Sequence, residues 1–465
     1  MATFLTVERV TKAYSMLTKI KKEIIDFSTW FKIAIVLLFL IYAFFWIFTI
    51  HLSGVQKDKG YSPVLPVVAE DSQEFASLSE SIMKGDGFMR FGEIETLRTP
   101  GYPVFVAIIW SIFGSYFAVT LVQIFLVFAG ALLVRKIGIW YGGKLVGELS
   151  AFLLLANPVT LVLSLVILTD VLFFFLFALG FYLALSAKKE KVFSRIFIVS
   201  IVFSYAIYVR PMGFFALPIF AAPILCSKLS KKFQWKLVAL MMIILALSTI
   251  PWSIRNYKQT GVFGFTSFKA LNLSFAATLF LSDLHHTSVS VENLNFEKQS
   301  GVPEAGWRDL KYSKEVSSTA ENIIFSNLFS YAKFHVVTSA PFLFPSTIDF
   351  ASVVYRSSMH EKAPFAEGSI HDLVSGNWLG FLAAVSKVWW KFAERLLWFV
   401  ALVFAIFGVW QERKKLLTWA FFCIVLYLMF LAGPASGPRY SFQAWPYFFM
   451  LFGIGLFHFY KKFSK

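Results

Sequence analysis

Three things are scarce in this chain. Only 2 of its 465 residues are cysteine, charged residues make up 15%, and acids number 27 against 43 bases. Cys226 and Cys423 both fall inside apolar runs and have no metal-ligand spacing. That excludes a disulfide framework and a cysteine-rich metal site. So little charge, beside 58% hydrophobic residues and a mean hydropathy of +0.68, excludes a soluble globular domain. The net charge of +16 does not point to nucleic acid, because the basic residues sit in short clusters between apolar runs. Such clusters mark the cytoplasmic loops of a membrane protein. No cleavable signal peptide is expected, since about 30 residues precede a first apolar run long enough to stay as a span.

What the chain has is a series of apolar runs near span length, with Phe alone at 56 residues. The expected fold is all-α and polytopic, with about ten transmembrane helices. The spans fall near 31–52, 116–134, 144–162, 171–186, 196–208, 214–227, 237–252, 396–410, 416–431 and 445–459. The basic residues then share one side. They are Lys12, Lys19, Lys21, Lys22 and Lys32 before the first span, Arg135–Lys136, Lys188–Lys189, Lys228 with Lys231 and Lys232, Arg413–Lys415, and Lys461–Lys462. That side is cytoplasmic by the positive-inside rule. The run 104–134 is too long for one span and divides at Gly114–Ser115, so 102–113 is expected to lie at the outer interface.

Four parts follow: a cytoplasmic segment 1–30, a transmembrane module 31–257 with its first outer loop at 53–103, a large outer region 258–391, and C-terminal helices 392–465. The outer region holds five of the seven histidines and a proline-bearing apolar patch near 336–344, read as interfacial or re-entrant. The adjacent His285–His286 reads as a solvated pair, because neighbouring side chains do not point the same way.

The densest polar stretch is 70–103. Asp71 has two compatible readings. As an N-cap with Glu74 three residues on, it opens a short amphipathic helix with an apolar stripe of Phe75, Leu78, Ile82 and Met83 and a C-cap at Gly85. As a carboxylate fixed at a helix start, it is also a candidate base. Arg98, Arg210, Arg255 and Arg439 each sit at the outer edge of an apolar run. One interfacial arginine commonly snorkels to headgroups. Several on the outer face, against the positive-inside bias, suggest a bound anion, and guanidinium forks suit phosphate. Asp170, at the outer end of a span, reads as solvated or as a partner of Asp71 across a cavity. Two such carboxylates can share a base role or a divalent ion.

Taken in order, these pieces resemble the GT-C glycosyltransferases, in particular the group of protein O-mannosyltransferases and the lipid A aminoarabinose transferase. The resemblance is carried by Asp71, Gly85-Asp86-Gly87-Phe88, Arg98-Thr99-Pro100-Gly101-Tyr102-Pro103, Asn157-Pro158 with Thr169-Asp170, Arg210-Pro211, Pro251-Trp252-Ser253-Ile254-Arg255-Asn256-Tyr257 and Arg439-Tyr440. It implies a polyprenyl-phosphate-linked sugar donor and transfer at the outer face of a membrane. Asp71 matches the family's catalytic acid and Asp170 a second acidic position. Arg98, Arg210, Arg255, Arg439 and Tyr440 are expected around the donor phosphate. No cofactor is expected beyond a possible divalent metal ion, and the acceptor is a lipid, a glycan or a protein hydroxyl. The membrane is read as a bacterial inner membrane. A lipid transporter or flippase also needs outer arginines and an apolar cavity, but it would normally show two related halves and mid-membrane charge. A scaffold that binds a protein partner gives no reason for the separated Asp and Arg positions. The transferase reading demands that Asp71 and the scattered arginines meet at one cleft.

Overall fold

A computed structural model describes residues 26–58, 65–67, 69–186, 192–215, 217–227, 229–358 and 378–463. Lys12, Lys19, Lys21, Lys22, Lys188, Lys189 and Lys228 of the charge pattern lie outside them. The described chain is almost entirely helical, as expected.

Helix α1 (Thr29–Asp58) exposes Ile33, Leu37, Leu40, Phe44 and Ile47. It is tied to the body by Tyr42, whose hydroxyl donates to the Leu155 carbonyl at 2.9 Å. Helix α2 (Glu70–Lys84) is the amphipathic helix of the outer loop, with Phe75 and Leu78 buried and Gly85 closing it at φ 83°. A two-residue hairpin follows, β1 (Met89–Arg90) against β2 (Glu93–Ile94), turning at Phe91 and Gly92 with positive φ. Helix α3 (Gly101–Phe113) is separate from α4 (Tyr116–Gly142), and the break falls at Gly114–Ser115. At Gly101 an added Cβ would lie 2.5 Å from the Tyr208 carbonyl carbon, so only glycine allows this approach of backbones.

Two span expectations are corrected. Helix α4 does not end at Arg135–Lys136. Arg135 is 4% exposed and pairs with Glu148 at 3.1 Å, so its charge is satisfied inside the helix packing. The run 144–162 is not one rod. It is α5 (Lys144–Ala156) and α6 (Pro158–Leu165), bent by 58° at Asn157. Pro158 stops α5, and the Asn157 side chain caps α6 by accepting from the Val159 amide at 2.9 Å. Helices α7 (Thr169–Leu185), α8 (Val192–Val209), α9 (Met212–Phe215) and α10 (Leu217–Leu225) follow.

Helix α11 (Lys231–Thr260) leads into the region 258–391, whose described part is not a plain loop. Helices α12 (Phe268–His285), α13 (Val289–Ser300) and α14 (Ser313–Ser326) enclose their own core of Ala277, Phe280, Phe296, Trp307, Val316 and Ala320. His285 pairs with Glu292 at 3.1 Å, and His286 is the left-handed C-cap of α12. Helices α15 (Leu328–Thr338), α16 (Ala340–Leu343) and α17 (Thr347–Ser358) return the chain to the apolar body. Helices α18 (Trp378–Gln411), α19 (Leu416–Ala432), α20 (Pro438–Ser441) and α21 (Trp445–Phe463) complete it. Helices α18 and α21 touch at backbone level, where a Cβ on Gly455 would sit 1.9 Å from the Phe404 carbonyl oxygen.

Among the described residues, five helices are long and apolar enough to cross a membrane, or six if the bent α5–α6 pair is one span. Helices α3, α7 and α19 are apolar but shorter. The chain is thus an all-α polytopic membrane protein, and the tally of ten spans stays an expectation.

Candidate functional site: an arginine–carboxylate cleft

Three helices begin beside one cleft. Asp71 lies in the first turn of α2, Thr99 directly precedes the cap of α3, and Thr169 and Asp170 open α7. Helix starts carry the positive end of the backbone dipole and favour carboxylates or anions. The α7 start is held from below by a buried amide. Gln123 of α4 donates to the Val166 carbonyl at 2.8 Å and accepts from the Tyr102 hydroxyl at 2.7 Å. From the other side, Gln443 donates to the Asp170 carbonyl at 3.1 Å.

The structural reading of Asp71 as a helix cap is overturned. The cap position is Ala69, and the Ser72 hydroxyl accepts from the Ala69 amide at 2.7 Å. Asp71 is left free of the cap and turns to arginine. Its Oδ1 accepts from Arg98 Nη2 at 2.7 Å, and its Oδ2 from Arg439 Nη1 at 2.7 Å. Arg439 also donates through Nε to Asp170 Oδ2 at 3.0 Å. Arg210 closes the row on Asp170 Oδ1 and lies 5.4 Å from the Tyr440 ring. The cleft is lined by Asp71, Phe75, Arg98, Thr99, Arg210, Arg439 and Tyr440, among others, and encloses about 50 Å³, near the size of one or two waters. A roomier groove lined by Ser77, Glu80, Lys84 and Phe91 lies on another face of α2, away from these ion pairs.

The row extends past the residues the sequence singled out. Glu74 is paired with Arg98 at 2.8 Å and with Arg308 at 2.7 Å. Arg90 reaches Glu95 at 2.8 Å and Glu74 at 3.9 Å. One connected chain therefore holds five arginines (90, 98, 210, 308 and 439) and four acids (71, 74, 95 and 170), an excess of one positive charge. Burial opposes ionisation of Asp71, but Arg98 and Arg439 outweigh it and hold the carboxyl at about 2. Burial likewise opposes the charge of Arg439, and Asp170 and Asp71 raise its pKa above the ordinary value.

Arg255 is not with the others. Its guanidinium donates to the carbonyls of Glu95 at 2.8 Å and Phe88 at 3.0 Å, and it stacks 4.9 Å from Trp252. It fastens the chain ahead of Arg98 to α11 and does not line the cleft. The expectation of a cation between Asp71 and Asp170 meets a donor set that does not fit it. The Arg439 guanidinium bridges the two carboxylates, and among the described residues no group of three or more His, Cys, Asp or Glu is placed to hold a metal.

Glu74 was legible only as a capping partner, and Arg308 had no signal, being a lone arginine in a region without a recognisable motif. Its position comes from the fold of the outer region. Thr96 accepts from the Leu310 amide at 3.0 Å, and Thr266 donates to the Leu97 carbonyl at 2.6 Å, which clips that region onto the segment before Arg98.

A scan against protein-family models found no match, and neither did a search of curated proteins. Among solved structures, the chain is similar to the Archaeoglobus fulgidus oligosaccharyltransferase complex with zinc and sulfate, at 12% identity and a TM-score of 0.43. That match covers 91% of this chain and 49% of the other, so this chain spans about half the length of the archaeal enzyme. It is also similar to ArnT from Cupriavidus metallidurans bound to undecaprenyl phosphate, at 13% identity, a TM-score of 0.39, and coverage of 90% and 77%. The apo form of that ArnT gives 12% identity, a TM-score of 0.38 and the same coverage. Both are GT-C enzymes, the superfamily whose motifs the sequence resembles. From its own helices and ion pairs, the chain is a polytopic, all-helical membrane protein with a carboxylate-bearing, arginine-rich cleft.

Proposed function

We propose that this protein is a membrane glycosyltransferase that moves a sugar from a polyprenyl-phosphate donor to an acceptor hydroxyl at the outer edge of the bilayer, in a bacterial inner membrane. The observation that carries the reading is the meeting of Asp71 with Arg98, Arg210 and Arg439 in one cleft, although these residues are spread over some 370 positions of sequence. Arginines with a surplus of positive charge suit a phosphate, and the apolar helices α7 and α8 that border the cleft suit a prenyl tail.

The chemistry follows from the contacts. Asp71 takes the proton of the acceptor hydroxyl, and the oxygen so freed attacks the anomeric carbon. The bond from that carbon to the phosphate oxygen breaks, and its electron pair stays on the phosphate, where Arg98, Arg210 and Arg439 stabilise it. A single displacement inverts the anomeric centre. In the resting arrangement both Asp71 oxygens are held by guanidiniums at 2.7 Å, which makes it a poor base. A donor phosphate competes for Arg98 and Arg439. Its arrival loosens Asp71, raises its basicity, and so readies the base only when there is a sugar to transfer.

The test is the full-length protein in liposomes given a radiolabelled polyprenyl-phosphate sugar. Release of the sugar from its lipid, with transfer to an added acceptor, is the expected result. Movement of intact lipid between leaflets without cleavage would identify a transporter instead, and neither event would leave a scaffold.

A further inference from the structure

Thr99 sits in the lining of the cleft, between Arg98 and the start of α3, and is 2% exposed. Its hydroxyl is buried and has no hydrogen-bond partner among the described residues. Buried hydroxyls are nearly always satisfied, because an unpaired one forfeits its hydration without return. A threonine just ahead of a helix normally finds its partner by capping free amides. Here no side chain caps α3, although Gly101 and Tyr102 carry amides such a cap could take. The hydroxyl thus makes none of the local bonds open to it and stays in the lining of a cleft that also holds Arg98, Arg210 and Arg439, where α2, α3 and α7 begin. What suits an O–H donor in that field is an oxyanion.

We propose that Thr99 is a ligand of the donor phosphate, its hydroxyl donating a hydrogen bond to a phosphate oxygen held by Arg98 and Arg439. This rests on reading the cleft as a phosphate site and adds a neutral donor to it. Unlike the arginines, Thr99 has no partner to exchange in the resting state, so its bond to the ligand comes without breaking another.

The experiment titrates the full-length protein in detergent with a polyprenyl phosphate and with the polyprenol of the same length, for wild type, Thr99→Val and Thr99→Ser. Wild type is expected to bind the phosphate and not the alcohol. Thr99→Val should bind the phosphate about tenfold more weakly, and Thr99→Ser within about threefold of wild type. Without ligand, Thr99→Val should melt at or above wild type, since valine keeps the shape and drops an unpaired polar atom. Equal phosphate binding by Thr99→Val overturns the role of Thr99 and leaves the transferase reading standing. A ligand-free melting point several degrees lower in Thr99→Val shows a structural partner for the hydroxyl and overturns it too. Wild-type protein that does not distinguish phosphate from alcohol overturns both.

Discussion

The molecule buries ion pairs at two places, and they differ in kind. In one, Arg135 of α4 meets Glu148 of α5, with the Phe27 ring 4.3 Å from the guanidinium. Glu148 is 0% exposed and also accepts from the Ser28 amide at 3.0 Å. Arg135 also reaches the exposed Asp26 at 3.5 Å, so this cluster carries no surplus of arginine. In the other, the Asp71–Arg439–Asp170 row borders a cleft and, with Arg98 and Arg210, carries more arginine than aspartate. Buried charge alone is a poor sign of function. Surplus charge of one sign, next to space, is a better one.

Substitutions sharpen that contrast. Asp71→Asn should keep its fold and lose about 10²–10⁴-fold in turnover, as loss of a general base does; steady-state transfer of labelled sugar measures it, and near-normal rates would remove Asp71 from the chemistry. Arg439→Lys keeps the charge but loses the fork that spans two carboxylates, and should lower kcat/KM by about 10²-fold with most of the effect on the donor. Glu148→Gln should do the reverse. It leaves Arg135 with only the exposed Asp26, 3.5 Å away, and destabilises the protein by about 3 kcal/mol, while the folded fraction turns over normally; thermal melting beside activity per folded molecule separates the two, and a large loss in kcat would erase the distinction between the sites.

The pH profile gives a smaller effect with a definite sign. The folded pKa of Asp71 is depressed to about 2, so its contribution to stability is present above the unfolded value near 4 and is lost as pH falls through 2. Wild type should therefore lose about 2 kcal/mol more than Asp71→Asn between roughly pH 5 and pH 2. If a donor phosphate frees Asp71, the acid limb of kcat should lie at higher pH than that of kcat/KM, because the first reports the donor complex and the second the free enzyme. Superimposable limbs would contradict the release. Smallest of all, Arg255→Met should lower the melting temperature, through three lost hydrogen bonds worth together about 1–3 kcal/mol, and leave the donor KM unchanged.

Much of this arrangement was legible in the residues. Apolar runs and one-sided basic clusters gave the helical membrane class. Gly85 and Gly114 marked real helix ends, because both sit at positive φ where glycine is favoured. Asp71, Arg98, Arg210 and Arg439, singled out by their place along the chain, and Tyr440, singled out by the family resemblance, line one cleft, and Asp170 pairs with two of its arginines. Other features were hidden for physical reasons. Arg135 looked like a span end because its partner, Glu148, lies on the next helix and cannot be paired with it by reading along the chain. Arg255 stands beside the same kind of turn as the other three, and only folding shows that it spends its fork on carbonyls. Arg308 reaches Glu74 across more than 200 residues, through a subdomain whose packing no local pattern announces.

The most direct measurement is a structure of the full-length protein with a polyprenyl phosphate bound. The account predicts the phosphate within hydrogen-bond distance of Arg98 and Arg439, with at least one Asp71 oxygen released from its guanidinium. A phosphate bound elsewhere, with both Asp71 oxygens still held, would contradict it.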